Sequence, residues 1–165
     1  MAEVITGFRA NFDILASSLR TTARGSSVGA AEFRAAFELG DGTGNNQVNK
    51  YWEGSGTIAA SGNADLDLVG GLTDQNGNLI TFTAVKVIAI VNTSALIATK
   101  LICGNTATTL FATTFLWPIS KGGVFIWADL ASGEPVVTTT GDLLRITNAD
   151  AVNAATYEAF IAGTV

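Results

Sequence analysis

In the stretch ADLDLV, Asp65 and Asp67 stand two residues apart. On a β-strand that spacing sets both carboxylates on one face, about 6–7 Å from each other, a separation at which two acids can divide glycoside hydrolysis between them. A glycosidase cleft also needs rings on which a sugar can stack, and the flanking residues here are Ala64 and Val69. The pair therefore reads as strand acids turned to water. Two loops offer other arrays of polar groups. GDGTGNNQ, with Gly40, Gly42 and Gly44, has the glycine density of a phosphate-cradling turn, but no Lys-Ser or Lys-Thr follows and no helix start is evident. Without a helix N-terminus and a lysine the donors of such a site are not assembled. DQNGNL, residues 74–79, places oxygen-bearing side chains at alternate positions, as calcium loops do. Leu79 stands where the required glycine belongs, and Val85 where the bidentate glutamate would be.

The chain has no histidine. That removes Ser-His-Asp and Cys-His nucleophilic machinery, histidine-containing zinc sites and the usual acid and base near neutral pH. A single cysteine, Cys103, removes thiolate zinc and iron–sulfur sites as well. Cys103 sits in the apolar run LIATKLICG and reads as a buried structural thiol. No catalysis, cofactor or metal is expected. Trp52, Trp117 and Trp127, with Tyr51 and Phe115, are residue types on which a carbohydrate-binding sandwich would stack sugars. Core or interface packing is the commoner fate of such rings, and two tryptophans exposed on one concave face would be needed to favour sugar.

The elements that must carry these residues are read from composition and period. A chain of 165 residues fits one principal core, and apolar residues make up 48% of it while charged residues make up 14%. Average soluble domains carry roughly 25% charge. The surface is thus expected to be Thr, Ser, Asn and Gly, with part of it hidden against other subunits. A net charge of −5 argues against direct nucleic-acid binding, which needs a basic patch. The charge is uneven: residues 1–34 hold Arg9, Arg20, Arg24 and Arg34 against Glu3, Asp13 and Glu32, leaving five basic and eleven acidic residues for the remainder. No apolar stretch is long enough for a membrane span, and no signal-peptide pattern is evident, so synthesis in a reducing cytoplasm without a membrane partner is expected.

Phe8, Phe12, Leu15 and Leu19 recur at spacings of four, three and four, which predicts a short amphipathic helix over residues 7–20. The aperiodic TTARGSSVGA after it reads as an extended arm. Residues 1–31 are thus expected to form a helix-bearing N-terminal arm, with Phe8, Arg9, Phe12, Leu15, Leu19, Arg20 and Arg24 as its candidate docking residues, and residues 32–165 a β-domain. From Ala31 onward the pattern is that of strands. ADLDLV alternates strictly, Asn76-Gly77 marks a hairpin turn, and LITFTAVKVIAIVN, ALIATKLICG, TTLFATTFLWP, GGVFIWADL, EPVVTTT, DLLRITNA and ATYEAFIAGT follow as short runs rich in Val, Ile, Thr and aromatics. No fixed-period repeat is present, which disfavours a propeller or solenoid. The expected fold is all-β: a jelly-roll-like antiparallel β-sandwich of about eight main strands.

Two segments carry a resemblance. GTGNNQVNKYWEGSGTIAASGNADLDLVGGLTDQNGNLITFTAVKVIAIVN (42–92) and GDLLRITNADAVNAATYEAFIAGT (141–164) resemble small structural proteins of tailed bacteriophages, in TIAASGNADLDLVGGLTDQNGNLITF and TGDLLRITN above all. Proteins of this kind look like capsid cement, or decoration, proteins. The resemblance implies a jelly-roll domain on the outer surface of the virion head, associating with itself as a dimer or trimer and bracing the major capsid protein. It brings no catalytic residues, and the first forty residues lie outside the matched segments. Repetition on a shell gives avidity from modest individual contacts, which suits a chain of low charge with a Gly, Ser and Arg arm. A tail-fibre or receptor-binding sandwich that recognises a host glycan is the alternative from a different class.

Overall fold

The computed structural model describes residues 8–22, 25–96, 98–104, 110–111 and 115–165, with side chains described at Arg9 and from Ala36 onward. The described residues form strands β1 (Phe8–Thr22), β2 (Gly25–Asp41), β3 (Gln47–Val48), β4 (Lys50–Ile58), β5 (Asn63–Asp67), β6 (Val69–Thr73) and β7 (Leu79–Thr81). They continue through β8 (Ala84–Asn92), β9 (Lys100–Cys103), β10 (Trp117–Ser120), β11 (Val124–Ala128), β12 (Glu134–Pro135), β13 (Leu143–Asn148) and β14 (Ala155–Thr164). The fold is all-β.

Two antiparallel sheets carry the body. One has the order β10-β9-β13-β5, and the other β11-β8-β14-β4 with β12 also paired to β8. The pairing is nested: β4 with β14, β5 with β13, β8 with β11, and β9 with β10. Leu66, Leu101, Cys103, Ile119, Leu144 and Ile146 from the first sheet meet Ile58, Ile88, Ile90, Phe125, Tyr157 and Ile161 from the second in one buried cluster. Alternation explains which residues go inward. On β13, Leu144, Ile146 and Asn148 are buried while the residues between them are half-exposed. β8 departs from strict alternation because both of its faces are covered at one end. Its Ile88 and Ile90 belong to the main core, and its Val87 to a second cluster with Leu39, Val48 and Ala162, against which Phe37, Tyr51, Leu130 and Phe160 pack.

A bulge breaks the β8–β14 ladder. Ala162 faces Val87 and Gly163 faces Val85, so Lys86 is the extra residue. It is 1% exposed, and its ammonium donates a hydrogen bond to the carbonyl of Gly44 in the loop between β2 and β3. On β4, Gly54 and Gly56 permit close approach on the core side: a Cβ on Gly54 would lie 2.3 Å from the Trp52 ring, and one on Gly56 2.8 Å from the ring of Tyr157.

The helix expected over residues 7–20 is not found; the described part of that segment is β1, paired antiparallel with β2 from Phe8 opposite Leu39 to Thr22 opposite Gly25. A single helix of that length with a narrow apolar stripe has little stability of its own, whereas the ladder satisfies its backbone groups directly. The ribbon joins the body at its base, where β2 runs parallel to β3.

Candidate interaction surfaces

The acids that opened the reading are held in place by neighbours. Asp65 lies opposite Arg145 across β5 and β13 and accepts two hydrogen bonds from its guanidinium, one from Nε and one from Nη2, the latter at 2.7 Å. The forked contact raises the Arg145 pKa further. Asp67 accepts the backbone N–H of Val69 at 2.9 Å, closing a local turn between β5 and β6. The two carboxylates therefore point their acceptors at separate partners and not at a common space.

The 74–79 loop is a hairpin connection between β6 and β7, with Gly77 at φ 81° as the Asn-Gly turn requires. Asp74 accepts the backbone N–H groups of Asn76 and Asn78, each at 2.9 Å, and the ammonium of Lys50 on β4 at 2.9 Å. The Lys50 hydrogen bond first, and then those from Asn78 and Asn76, hold the Asp74 carboxyl far below its ordinary range. Its oxygens are occupied within the fold. In the 40–47 loop the Gly44 amide donates to the side chain of Gln47 at 2.8 Å, and the Gly44 carbonyl faces Lys86. This loop anchors the ribbon's base. Among the described residues no group of three acids or thiols converges as a metal site would. Cys103 is fully buried, and burial pushes its thiol up to about 12.

Of the N-terminal candidates, Arg9 is exposed on β1 and pairs with Glu38 of β2 at 3.3 Å. Phe8, Phe12, Leu15, Leu19 and Arg20 lie on the β1 backbone, but their side chains are outside those described, and Arg24 is outside the described residues altogether.

Two apolar surfaces adjoin the second sheet, one at its β11 edge beside β10 of the first sheet and one on its outer face; the first contains Phe115, Trp117 and Trp127, which the sequence offered as stacking rings. At one edge, Phe115, Trp117, Val124, Phe125, Ile126 and Trp127 line a cavity of about 450 Å³. Leu116, Trp117, Val124 and Ile126 are 56%, 53%, 52% and 51% exposed, an unusual concentration for two strands consecutive in the chain. Beneath them the rings interlock: Phe111 lies 4.7 Å from Phe115 and 5.0 Å from Trp127, and Phe115 lies 5.7 Å from Phe125. Trp127 packs on the core and Trp117 is outside it, so one tryptophan of the pair is presented to solvent. The signal in the sequence was GGVFIWADL, apolar at both parities; a strand of that kind has an occupied outer face as well as an inner one.

The second surface is the outer face of the same sheet. Its rows run Glu53–Phe160–Ala89–Ile126 and Ser55–Glu158–Val91–Val124 across β4, β14, β8 and β11. Glu53, Ser55, Ala89, Val91, Glu158 and Phe160 line a shallow cavity of about 390 Å³ there. Phe160 stacks on Tyr51 at 5.8 Å, continuing into the cluster that seats Phe37 and Leu39 of β2.

No protein-family model matches the sequence, and no curated protein matches it. Among solved structures, the Yersinia pseudotuberculosis-derived mitogen is matched with a TM-score of 0.37 and 13% identity, over 69% of this chain and 86% of that one. A likeness of that size carries no argument about role.

Proposed function

We propose that this chain is a structural virion protein of the capsid cement type, which acts by surface fit and performs no catalysis. The observation that carries the reading is the apolar surface left open where the β10 edge of the first sheet adjoins the β11 edge of the second: Leu116, Trp117, Val124 and Ile126, each about half exposed. Surfaces of this kind mark contacts with other subunits. The finer fold assignment belongs to the same proposal. Numbered in chain order, the eight strands β4, β5, β8, β9, β10, β11, β13 and β14 fall in the orders 1-8-3-6 and 2-7-4-5. That is the arrangement produced when one long ribbon, pairing first with eighth and fourth with fifth, is rolled into a jelly roll.

On this reading the protein sits on the outer surface of a phage head, associates with itself as a dimer or trimer, and braces neighbouring copies of the major capsid protein. Expanded heads lacking the protein are the direct test. Added protein should co-sediment with them and raise the temperature at which they disrupt; heads that neither bind it nor gain stability overturn the proposal.

A second reading rests on one observation, the half-exposed Trp117 ring beside Phe115 and Trp127 in one cavity. A receptor-binding module could use that ring against a host glycan, and gold-labelled antibody on the tail tip, together with loss of glycan binding on Trp117→Ala, would favour it over the head.

A further inference from the structure

We propose that the outer face of the second sheet is the seat for the N-terminal ribbon of another copy of the chain. Among the described residues, the face is covered at one end only. There Phe37 and Leu39 of the chain's own β2 pack with Val48, Val87 and Ala162. Beyond Phe160 the surface continues through half-buried Ala89 and Val91 to exposed Val124 and Ile126, with exposed Glu53 and Glu158 set among them. A neighbour's ribbon laid beside the first would extend a layer that already exists.

Charge selects the occupant. The side chain of Glu53 accepts a hydrogen bond from Gln75, and Glu158 makes no ion pair among the described residues. Their charges stand beside apolar side chains, and a stable partner must bring positive charge with apolar bulk. Residues 1–34 hold four basic and three acidic residues, a net of +1, while the remaining chain holds five basic and eleven acidic, a net of −6. The arm is therefore the segment of this chain that the face attracts, and a second copy's body, itself acidic, is one that it repels.

Reach and stability make the contact intermolecular. Ser27, the residue opposite Arg20, lies twelve residues along β2 from Leu39, which is about 40 Å of extended strand. The Arg20 end of the ribbon is thus about that far along the strand from the residues that seat on the face, and β2 pairs with the body through Gly40 and Asp41 at the opposite end. A ribbon of two strands is marginal in water unless something covers it. Among the described residues, β1 has no strand partner besides β2. A second body supplies the missing surface.

The inference rests on the self-association in the cement reading and not on shell binding, so its test needs no capsid. Reciprocal charge reversal decides it: Glu53→Arg with Glu158→Arg in one full-length chain, Arg20→Glu with Arg24→Glu in another, read by mass photometry and by circular dichroism. Wild type should be oligomeric, each variant alone should associate at least about tenfold more weakly, and the equimolar mixture should recover, because each arm then meets a seat of opposite sign. A folded seat variant that associates like wild type, or a mixture that fails to recover, overturns the seat while leaving the cement reading standing. Wild type that stays monomeric overturns both the seat and the self-association. Hydrogen exchange on unmodified protein decides the matter if a variant fails to fold. Protection at residues 53–55, 89–91, 124–126 and 158–160 should rise with concentration, and unchanged exchange there overturns the proposal.

Discussion

Asn148 shows how much of the fold's order depends on buried amides. It is 1% exposed, and its Nδ2 donates to the carbonyls of Ala59 and Asn153 at 3.0 and 2.8 Å while its Oδ1 accepts the amide of Asp150 at 3.0 Å. One side chain thereby ties the end of β13 to the turn after β4 and the loop before β14. Asn148→Ala strands several buried backbone groups, and the expected loss is about 2–3 kcal/mol, read as a lower denaturation midpoint with an unchanged slope. A loss of a few tenths would show that water replaces the amide at no cost. Asn92 has the same role at the end of β8, donating to the carbonyls of Thr99 and Ile119. Neither residue stood out in the sequence, because an asparagine at a strand end looks like any turn residue until its carbonyl partners, distant along the chain, are known. Cys103 was legible, since it follows Leu101 and Ile102 in a mostly apolar run. Asp65 and Asp67 were legible as a strand pair but not as held acids: the partner of Asp65 is 80 residues away.

The β6–β7 hairpin is fastened to β4 through Asp74 and Lys50, and this contact belongs to the element, not to either residue. The pair is nearly sequestered, with side-chain exposures of 3% for Asp74 and 20% for Lys50. Because the folded chain holds the Asp74 carboxyl below its unfolded value, its contribution is complete above the ordinary aspartate range near about 3.9 and is lost as pH falls through and below it. Asp150, held down by the Val152 amide and by Asn153, acts with the same sign. Melting temperature is therefore expected to drop between about pH 5 and pH 2, and Asp74→Asn to flatten that dependence while lowering stability at neutral pH. An acid limb as steep in the variant as in wild type would remove the hairpin contact from the explanation. Hairpin signals at this scale were read well from sequence, because Asn76-Gly77 states its own geometry. The helix expected at the N-terminus is not confirmed, for a related reason: Phe8, Phe12, Leu15 and Leu19 satisfy a helical period, and nothing local reports that residues 25–41 pair with that segment.

For the whole molecule, the division of labour runs between a packed body and the two-stranded ribbon of β1 and β2. The main core takes its buried residues from Ile58 onward, and among the described side chains of β2 only Phe37 and Leu39 belong to the second cluster. Deleting residues 1–31 leaves both of those in place. The body should keep its cooperative melt while self-association and the proposed shell binding weaken; a truncated chain that no longer melts cooperatively would make the ribbon part of the core. The class of fold was legible because each of the long runs after Asn76-Gly77 is bounded by turn residues. The open faces were not, since exposure on a sheet depends on which neighbours cover it, and those neighbours are set by pairings that span most of the chain, such as β4 with β14.

Lys86 gives this arrangement its aim. The bulge turns its ammonium onto the Gly44 carbonyl, and the Asn46 amide donates to the Leu130 carbonyl at 2.7 Å beside it, so the root of the ribbon is clipped from two sides. Fifteen residue pairs at about 3.3 Å each make a lever about 50 Å long, on which about 5° of slack at the pivot would sweep the far tip through about 4 Å. Steering over that span is decided where one sealed cation grips one oxygen.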